Sequence, residues 1–419
     1  MSRVLFLVLD SLGVGALPDA DRYGDAGSDT LGHIADWCAR PVAEGGRGRA
    51  LALPQLTRLG LGRAAALVRA APLPGLDDAI VPVARWGALR ERSTGKDTVS
   101  GHWELCGLPV DFEWGYFHDA QESFPPELIR ALAAAADCDG VLGRCRASGT
   151  EIIERLGAQH LDCGWPIVYT SADSVLQIAA HEERFGLDRL YALCTTARAL
   201  VDRYHIGRVI ARPFLGDAAR EFRRTANRRD WATPPSAPTV LDAIVEAGGE
   251  VLAVGKIADI FAGRGISESI KADGLDALMQ ASIEAWQRCR PGGMVFTNLV
   301  DFDQNYGHRR DIAGYAAALE HFDALLDGVL ANGRQGDLLI LSADHGNDPS
   351  WPGSDHTREH VPVLLHGAGL TSGCLGVRDS FCDVGQSIAS WLGLPSMDQG
   401  VNLVDQVALA GAAAAGATA

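Results

Sequence analysis

Residues 337–345 read DLLILSADH, a run of aliphatic side chains that ends in an aspartate and a histidine. A continuous apolar run of this length is typical of a strand buried on both faces of a sheet. Comparable runs are VLFLVLD (4–10), EVLAVG (250–255), MVFTNLVDFD (294–303) and VPVLLHG (361–367). Between such runs, residues 311–331 place apolar side chains along one helical face. The alternation predicts an α/β doubly wound core, in which a parallel sheet is covered on both faces.

The middle of the chain has a different character. It contains an Ala-rich helical stretch (130–136), a strand-like PIVYT (166–170) and a cluster of arginines between Arg212 and Arg229. We therefore expect an inserted, smaller α+β cap domain. The predicted boundaries are 1–109 and 236–410 for a discontinuous catalytic core, 110–235 for the cap, and 411–419 for a disordered tail.

Composition excludes several classes of function. The chain has 419 residues and a formal net charge of −16. An acidic chain without a long basic run is poorly suited to bind nucleic acid or an anionic membrane. The nine cysteines form no CxxC pair, which favours reduced thiols in the cytoplasm. The first apolar run is too short for a signal peptide, and no run approaches the length of a membrane span.

Acidic residues stand at the ends of three of the apolar runs. These are Asp10, Asp301 with Asp303, and Asp344. Ligands bind beyond the carboxyl ends of parallel strands, and carboxylates gathered there repel one another unless cations neutralise them. Alternation along one strand would put Asp301 and Asp303 on the same side, so the pattern does not choose between them.

Three histidines accompany these acids in the sequence. Three aspartates and three histidines can make two sites of three ligands each: Asp10, Asp303, His308, Asp344, His345 and His356. Mixed imidazole and carboxylate ligands suit Mn²⁺ or Zn²⁺. The alternative is that the aspartates cap helices and the histidines lie on the surface. Asp348 and Asp355 are expected to be turn residues or neighbours of ligands.

The segment ERSTGKDTVSGHWE (91–104) concentrates glycine, lysine, hydroxyl groups and a histidine. It is not a P-loop, since the upstream glycine is absent and Asp97 follows Gly95-Lys96. A hydroxyl near a metal ion could act as a nucleophile without an adjacent base. The chemistry alone leaves four candidates open: Ser93, Thr94, Thr98 and Ser100. A simple turn is the other interpretation.

These motifs together resemble one family, the cation-dependent phosphopentomutases of the alkaline phosphatase superfamily. The resemblance covers almost the whole chain. It rests on DSLGVGALPDA (10–20), DTLGHIA (29–35), STGKDTVSGHWE (93–104), ASGTEII (147–153), IVYTSADSVLQIAAHEE (167–183), GRVIARPF (207–214), VGKIADIFAGRGI (254–266), TNLVDFDQNYGHRRD (297–311) and SADHGNDPSWPGSDHTREHVP (342–362). Each motif alone is weak, whereas nine in the family's order are specific.

The resemblance implies roles for individual residues. One metal set would be Asp10, Asp344 and His345, and the other Asp303, His308 and His356. The implied phosphate carrier is Thr98. Residues implied to contact the sugar are Ser171, Asp173 and Val175, and those implied to hold its distal phosphate are Arg212, Arg228 and Lys256.

The implied reaction interconverts ribose 1-phosphate, or 2-deoxyribose 1-phosphate, with the 5-phosphate. It would proceed through a phosphothreonine and a pentose 1,5-bisphosphate, with two divalent metal ions, Mn²⁺ by expectation, and a sugar bisphosphate as activator. Such a protein would act on small molecules in nucleoside and pentose phosphate metabolism. The alternatives are a metal-dependent phosphatase, a mutase for another sugar phosphate, or a binding protein with an inactive site.

The chain departs from the family's pattern at several positions. They are Arg144, Arg229, Trp231 and the longer aromatic stretch 110–129 of the predicted cap, and His360, where an aromatic residue is expected. The sugar preference is the property that the cap departures could alter.

Overall fold

The computed structural model describes residues 2–69, 71–76, 79–117, 122–171, 174–218 and 221–405. The chain divides into two compact units, Met1–Asp111 with Pro235–Ala419, and Phe112–Pro234. This division lies close to the boundaries predicted for core and cap, but the roles of the two units remain predictions. The predicted disordered tail, 411–419, lies outside the described residues. No helix in the described part of the chain is long and apolar enough to cross a membrane.

The described residues form fourteen named strands. In chain order they are β1 (Arg3–Val8), β2 (Arg85–Leu89), β3 (Leu142–Arg146), β4 (Ile167–Thr170), β5 (Val175–His181), β6 (Arg208–Leu215), β7 (Arg223–Arg224), β8 (Arg229–Ala232), β9 (Val251–Val254), β10 (Glu268–Ile270), β11 (Met294–Asn298), β12 (Asp337–Ser342), β13 (Val361–Gly367) and β14 (Gly373–Arg378).

Twelve α-helices accompany these strands in the same described residues. They are α1 (Thr30–Ala39), α2 (Pro54–Leu59), α3 (Leu61–Arg69), α4 (Thr98–Leu105), α5 (Pro126–Ala135), α6 (Gly149–Cys163), α7 (Leu187–Val201), α8 (Val240–Glu246), α9 (Ile257–Ile260), α10 (Leu275–Arg288), α11 (Ile312–Ala331) and α12 (Cys382–Leu392). The predicted helix at 311–331 is confirmed as α11. Asp311 accepts a hydrogen bond from Gly314 N and so begins it.

The first unit is built on an eight-stranded sheet in the order β10-β9-β11-β1-β12-β13-β2-β14. Strands β10, β9, β11, β1 and β12 run parallel. Every residue of β1 and β12 is buried, so both faces of the centre of the sheet are covered. The chain order reverses at β1, which has β11 on one side and β12 on the other. Such a switch point collects loops from several strand ends at one place.

The prediction of a parallel strand is wrong for VPVLLHG. This segment is β13, which runs antiparallel to both β12 and β2. A parallel neighbour needs a crossover connection, usually a helix, whereas the 343–360 connection contains no helix. The sequence analysis also missed β2 and β14, since RWGAL and GCLGVR carry glycine and arginine and lack a continuous apolar run.

The second unit contains a six-stranded mixed sheet in the order β3-β4-β5-β6-β7, with β8 also paired to β6. Side chains alternate between the two faces of β5. Leu176 and Ile178 join an apolar cluster with residues of α5 and α7. Ala179 and the neighbouring Tyr169 of β4 join a second cluster with residues of α6. The unit is therefore α+β, and its sheet has helices on both faces.

Candidate active site

The three predicted acids of the core lie beyond three adjacent strands. Asp10 follows β1 and Asp344 follows β12, each by two residues, while Asp303 lies in a helical turn, Phe302–Gly307, after β11. All three are buried. Because β11, β1 and β12 are parallel neighbours, their carboxyl ends bring these acids together.

Two groups of three residues have ligand atoms close enough to hold an ion. One consists of Asp303, His308 and His356. In it, Nε2 of His308 lies 3.0 Å from Oδ2 of Asp303, and Nε2 of His356 lies 3.5 Å from Oδ1. These are the three residues that the family resemblance placed in one metal set.

The second group brings Asp10 and His345 together with Asp303, whereas the resemblance had combined them with Asp344. Nε2 of His345 lies 3.4 Å from Oδ1 of Asp10. Asp344 belongs to neither group of three, although its Oδ2 lies 3.3 Å from the same His345 nitrogen. The role of Asp344 as a ligand therefore stays a prediction, and Asp303 is the acid that the two groups share.

The electrostatics of the cluster favour a bound cation. Oδ1 of Asp10 and Oδ2 of Asp344 are buried without a hydrogen-bond partner among the described residues. Burial raises the pKa of Asp10 well above its usual value, and Asp344 and Asp303 raise it further. Burial would also raise the pKa of Asp303, but hydrogen bonds from His308 and His356 outweigh this and lower it. Buried carboxylates with open oxygens and imidazole neighbours fit the binding of divalent metal.

The predicted relationship between Asp301 and Asp303 is wrong. β11 ends at Asn298, so both acids lie beyond the strand and alternation does not apply to them. Asp301 accepts a hydrogen bond from Asn305 Nδ2 at 2.6 Å and belongs to neither group of possible ligands.

Two residues that the sequence analysis did not single out orient the acids, and a third lies close to one of them. Asn298 Nδ2 donates to Asp10 Oδ2 at 2.8 Å, and Asn347 Nδ2 donates to Asp303 Oδ1 at 2.6 Å. His102 Nδ1 lies 3.1 Å from Asp344 Oδ2 but is hydrogen-bonded to the carbonyl oxygen of Thr98 at 2.8 Å, so this carboxylate oxygen keeps no hydrogen-bond partner among the described residues. Asn298 is the last residue of β11 and Asn347 closely follows the Asp-His pair, so position next to a candidate ligand was the available signal.

Of the four candidate hydroxyl groups, that of Thr98 lies against the cluster. Its Oγ1 is 3.2 Å from His345 Nε2. Ser93 and Ser100 donate their hydroxyl protons to Glu104 and Asp97, respectively. The side chain of Asp97 also accepts from Ser100 N and begins α4 at Thr98.

Gly101 explains how α4 comes so close to the acids. A Cβ atom added to Gly101 would lie 2.0 Å from the carbonyl oxygen of Asp344. Any side chain here would push the helix, and Thr98 with it, away from the strand end.

The residues predicted to bind the sugar phosphate are distributed over both units. In the second unit, Val175 begins β5 and is buried, Ser171 is half-buried after β4, and Asp173 lies outside the described residues. In the same unit, Arg212 Nε donates to Gln177 Oε1 at 3.0 Å and Arg228 pairs with Asp230. In the first unit, Lys256 Nζ donates to Gln304 Oε1 at 2.9 Å.

Two of the departures from the family pattern have a structural explanation. The guanidinium of Arg229 lies over the rings of Tyr191 and Trp231, and Trp231 Nε1 donates to Thr195. Tyr191 and Thr195 belong to α7, whereas Arg212 projects to the α6 face with Tyr169. Arg229 and Trp231 therefore pack on the opposite face of the sheet from Arg212.

Comparison with known proteins identifies a family and several similar proteins. The sequence profile of the metalloenzyme superfamily matches residues 2–396. A phosphopentomutase of Tolumonas auensis is 54% identical over 406 residues, which cover 97% of this chain and 100% of that protein. A phosphopentomutase of Yersinia pseudotuberculosis is 54% identical over 407 residues, 96% of this chain and 100% of that protein. Among solved structures, the PH0037 protein of Pyrococcus horikoshii aligns with a TM-score of 0.45 and 12% identity, over 94% of this chain and 97% of that one.

Proposed function

The chain belongs to the phosphopentomutase family of the alkaline-phosphatase-like metalloenzymes and is an isomerase, and from this membership we propose its substrates and mechanism. It interconverts ribose 1-phosphate and ribose 5-phosphate, and likewise the 2-deoxyribose pair. The observation that carries the proposal is the 54% identity to phosphopentomutases over nearly the whole chain. The position of Thr98 beside the cluster of acids and histidines supports it.

The six acids and histidines hold two divalent metal ions in this proposal. They are Asp10, Asp303, His308, Asp344, His345 and His356. Support comes from the two groups of possible ligands and from the unpartnered oxygens of Asp10 and Asp344. Mn²⁺ is the ion proposed, since nitrogen and carboxylate ligands are mixed. When bound, such ions neutralise the oxygens of a transferring phosphoryl group and of its attacking and leaving groups.

Thr98 carries the phosphate between the two positions of the sugar. Phosphothreonine at position 98 transfers its phosphoryl group to the free hydroxyl of the pentose monophosphate. The bond from Thr98 Oγ1 to phosphorus breaks as the new bond to the sugar oxygen forms, and the product is a pentose 1,5-bisphosphate. Thr98 then accepts the other phosphate. A sugar bisphosphate acts as activator because it can phosphorylate an unmodified Thr98.

Six residues that the family resemblance implies are proposed to hold the substrate. We assign its distal phosphate to Arg212, Arg228 and Lys256, since Arg and Lys form charge-assisted hydrogen bonds with phosphate oxygens. Ser171, Asp173 and Val175 are assigned to the sugar. A phosphoenzyme without a bound sugar phosphate can pass its phosphate to water. The contacts that hold the sugar phosphate therefore also determine whether the protein acts as a mutase or a phosphatase.

The protein acts in the cytoplasm, in nucleoside and pentose phosphate metabolism. The proposal of a reducing compartment rests on the nine cysteines, which form no CxxC pair in the sequence.

The deciding experiment supplies ribose 1-phosphate with Mn²⁺ and a sugar bisphosphate and measures ribose 5-phosphate and inorganic phosphate together. We expect isomer to form clearly faster than phosphate. Phosphate without isomer would identify a phosphatase, and turnover of another sugar phosphate alone would change the substrate. Thr98→Ala should remain folded and be inactive, whereas Thr94→Ala, which removes an exposed hydroxyl four residues earlier, should remain active.

Mass spectrometry locates the phosphate. Trypsin cleaves after Arg92 and Lys96, so Ser93 and Thr94 lie on a different peptide from Thr98 and Ser100. Fragmentation of the second peptide separates the latter two. Phosphate on any residue other than Thr98 would show that the wrong hydroxyl has been chosen.

A further inference from the structure

A cationic cavity lies within the second unit. It has a volume of about 280 Å³ and is lined by Arg212, Pro213, Arg224, Thr225 and Arg228. The family resemblance drew attention to Arg212 and Arg228 and gave no role to Arg224. The charge balance of the three arginines instead draws attention to Arg224.

The three arginines differ in how their charges are balanced. Arg228 donates to both carboxylate oxygens of Asp230, at 2.8 and 2.7 Å. Arg212 donates to Gln177, which is neutral, at 3.0 Å. Within the described residues, Arg224 forms no side-chain hydrogen bond or ion pair. Two guanidinium charges therefore face the cavity without an acid to balance them.

Tyr169 is a buried polar group without a partner beside these arginines. Its side chain is fully buried, and its Oη, although close to the Arg212 guanidinium, makes no hydrogen bond of ordinary geometry among the described residues. Buried tyrosine hydroxyls usually have a partner, so an orphan indicates a missing ligand or water. Burial raises the pKa of Tyr169 despite the nearby charges of Arg212, Arg224 and Arg228, so the phenol keeps its proton and can donate it.

The same hydroxyl lies at the N-terminus of α6. This helix is 15 residues long, begins at Gly149, and receives no side-chain cap from Ser148. A Cβ atom added to Gly149 would lie 2.6 Å from Tyr169 Oη and 3.6 Å from Arg224 Nη1. The absent side chain leaves both donors next to the free N–H groups of the helix. A helix N-terminus attracts anions through these groups and its dipole.

We propose that Arg224, Tyr169 and the N-terminus of α6 form, together with Arg212, a binding site for a phosphate monoester dianion. A phosphate monoester carries a charge of about −1.5 to −2 at neutral pH, which two unbalanced guanidinium groups match. The Tyr169 hydroxyl and the helix N–H groups supply further donors to its oxygens. This inference rests on the proposed function, because the natural occupant would be the substrate phosphate that is not being transferred. It makes Arg224 a stronger phosphate ligand than Arg228, whose charge Asp230 already balances.

Chemical modification tests the site residue by residue. The full-length, Mn²⁺-loaded enzyme is treated with the arginine reagent phenylglyoxal, alone and with inorganic phosphate, ribose 5-phosphate or uncharged ribose, and modified arginines are located by mass spectrometry. Arg223 is the matched control, because it adjoins Arg224 in β7, is also exposed, and projects to the other side of the strand. We expect both phosphates, but not ribose, to slow modification of Arg224 several-fold while that of Arg223 is unchanged. Equal modification of Arg224 under all conditions overturns the proposal.

Kinetics of variants provide a second measurement. Arg224→Gln and Tyr169→Phe should each raise KM for ribose 5-phosphate about tenfold or more with a smaller change in kcat, since each loses a hydrogen bond to a charged group. Arg223→Gln should behave like the unmodified enzyme. Tyr169→Phe removes a hydroxyl without a partner, so its thermal stability should not fall. A less stable Tyr169→Phe with unchanged KM would indicate a purely structural tyrosine and overturn its role.

The two proposals fail separately. The anion site is refuted, and the proposed function kept, if the enzyme has mutase activity while phosphates do not protect Arg224 and Arg224→Gln has an unchanged KM. Absence of pentose phosphate turnover, with Arg224 still protected by inorganic phosphate, refutes the proposed substrate and keeps the anion site.

Discussion

Replacing Asn298 by alanine should weaken metal binding more than it weakens the fold. Asn298 ends β11, is fully buried, and donates from Nδ2 to Asp10 Oδ2 at 2.8 Å. This bond holds one oxygen of Asp10 and leaves the other, Oδ1, without a partner and facing His345. Alanine would free the carboxylate to rotate and leave it less well oriented for an ion.

The size of the effect follows from the kind of bond that is lost. A hydrogen bond to a charged group contributes about 1.5–3 kcal/mol, which corresponds to roughly ten- to 150-fold in an equilibrium constant. Residues that orient metal ligands typically contribute about 10- to 100-fold in metal affinity. The two estimates agree, so the half-saturating Mn²⁺ concentration of Asn298→Ala should rise about 10- to 100-fold. Activity at saturating Mn²⁺ should recover most of the loss.

The assay is a Mn²⁺ titration of mutase activity after chelation and dialysis. Asn305→Ala is the matched control, because Asn305 donates in the same way to Asp301, the neighbouring acid outside both groups of possible ligands. An unchanged titration midpoint in Asn298→Ala would refute this reasoning. A midpoint shifted equally in Asn305→Ala would instead make Asp301 a ligand.

Three further predictions concern the metal, the fold and pH. Exhaustive chelation should abolish activity and Mn²⁺ should restore it; full activity in the chelated protein would contradict the two-metal proposal. Glu104 is fully buried and accepts hydrogen bonds from the backbone of Arg92, Ser93 and Phe381. Glu104→Gln should lose at least two of its bonds, so its free energy of unfolding, measured in urea, should fall by about 3–6 kcal/mol. The control variant Glu246→Gln, at an exposed position, should lose little. Burial lowers the pKa of His360 to about 4 from 6.5, so between these values the unfolded chain binds a proton that the folded protein does not, and stability falls with falling pH. At pH 5 the free energy of unfolding lost in this way is about 2 kcal/mol, and His360→Phe should not show that loss. An unaltered pH dependence of stability in His360→Phe would contradict the lowered pKa.

Much of the core could be predicted from the chain because its strands are buried on both faces. Such strands need long aliphatic runs, as in VLFLVL, and the runs mark β1, β11 and β12 directly. The acids at their ends were predictable for the same reason, since parallel strands finish at one edge of the sheet. Strands β2 and β14 were missed because they lie toward one edge of the sheet, where a short or partly polar segment suffices.

Other features needed the fold. The direction of β13 depends on how the 343–360 connection returns to the sheet, which no local pattern records. The loop chemistry left four hydroxyl groups open and the family resemblance implied Thr98, but the contact of Thr98 with His345, across 247 residues of sequence, is recorded by no local pattern. Asp301 and Asp303 could not be distinguished by periodicity, because the strand ends before either of them.

The sequence by itself determined the family, the α/β core and the residue types that could bind metal, since these depend on local apolar runs and on motifs in a set order. Only the tertiary structure decided which side chains meet. It placed Asp303 next to Asp10 and His345. It paired Arg228, but not Arg224, with the carboxylate of Asp230, and it left the Tyr169 hydroxyl without a hydrogen bond of ordinary geometry among the described residues. The physical reason is that charge balance and hydrogen bonding depend on distances of a few ångströms between segments far apart in the chain, and these distances are set by packing.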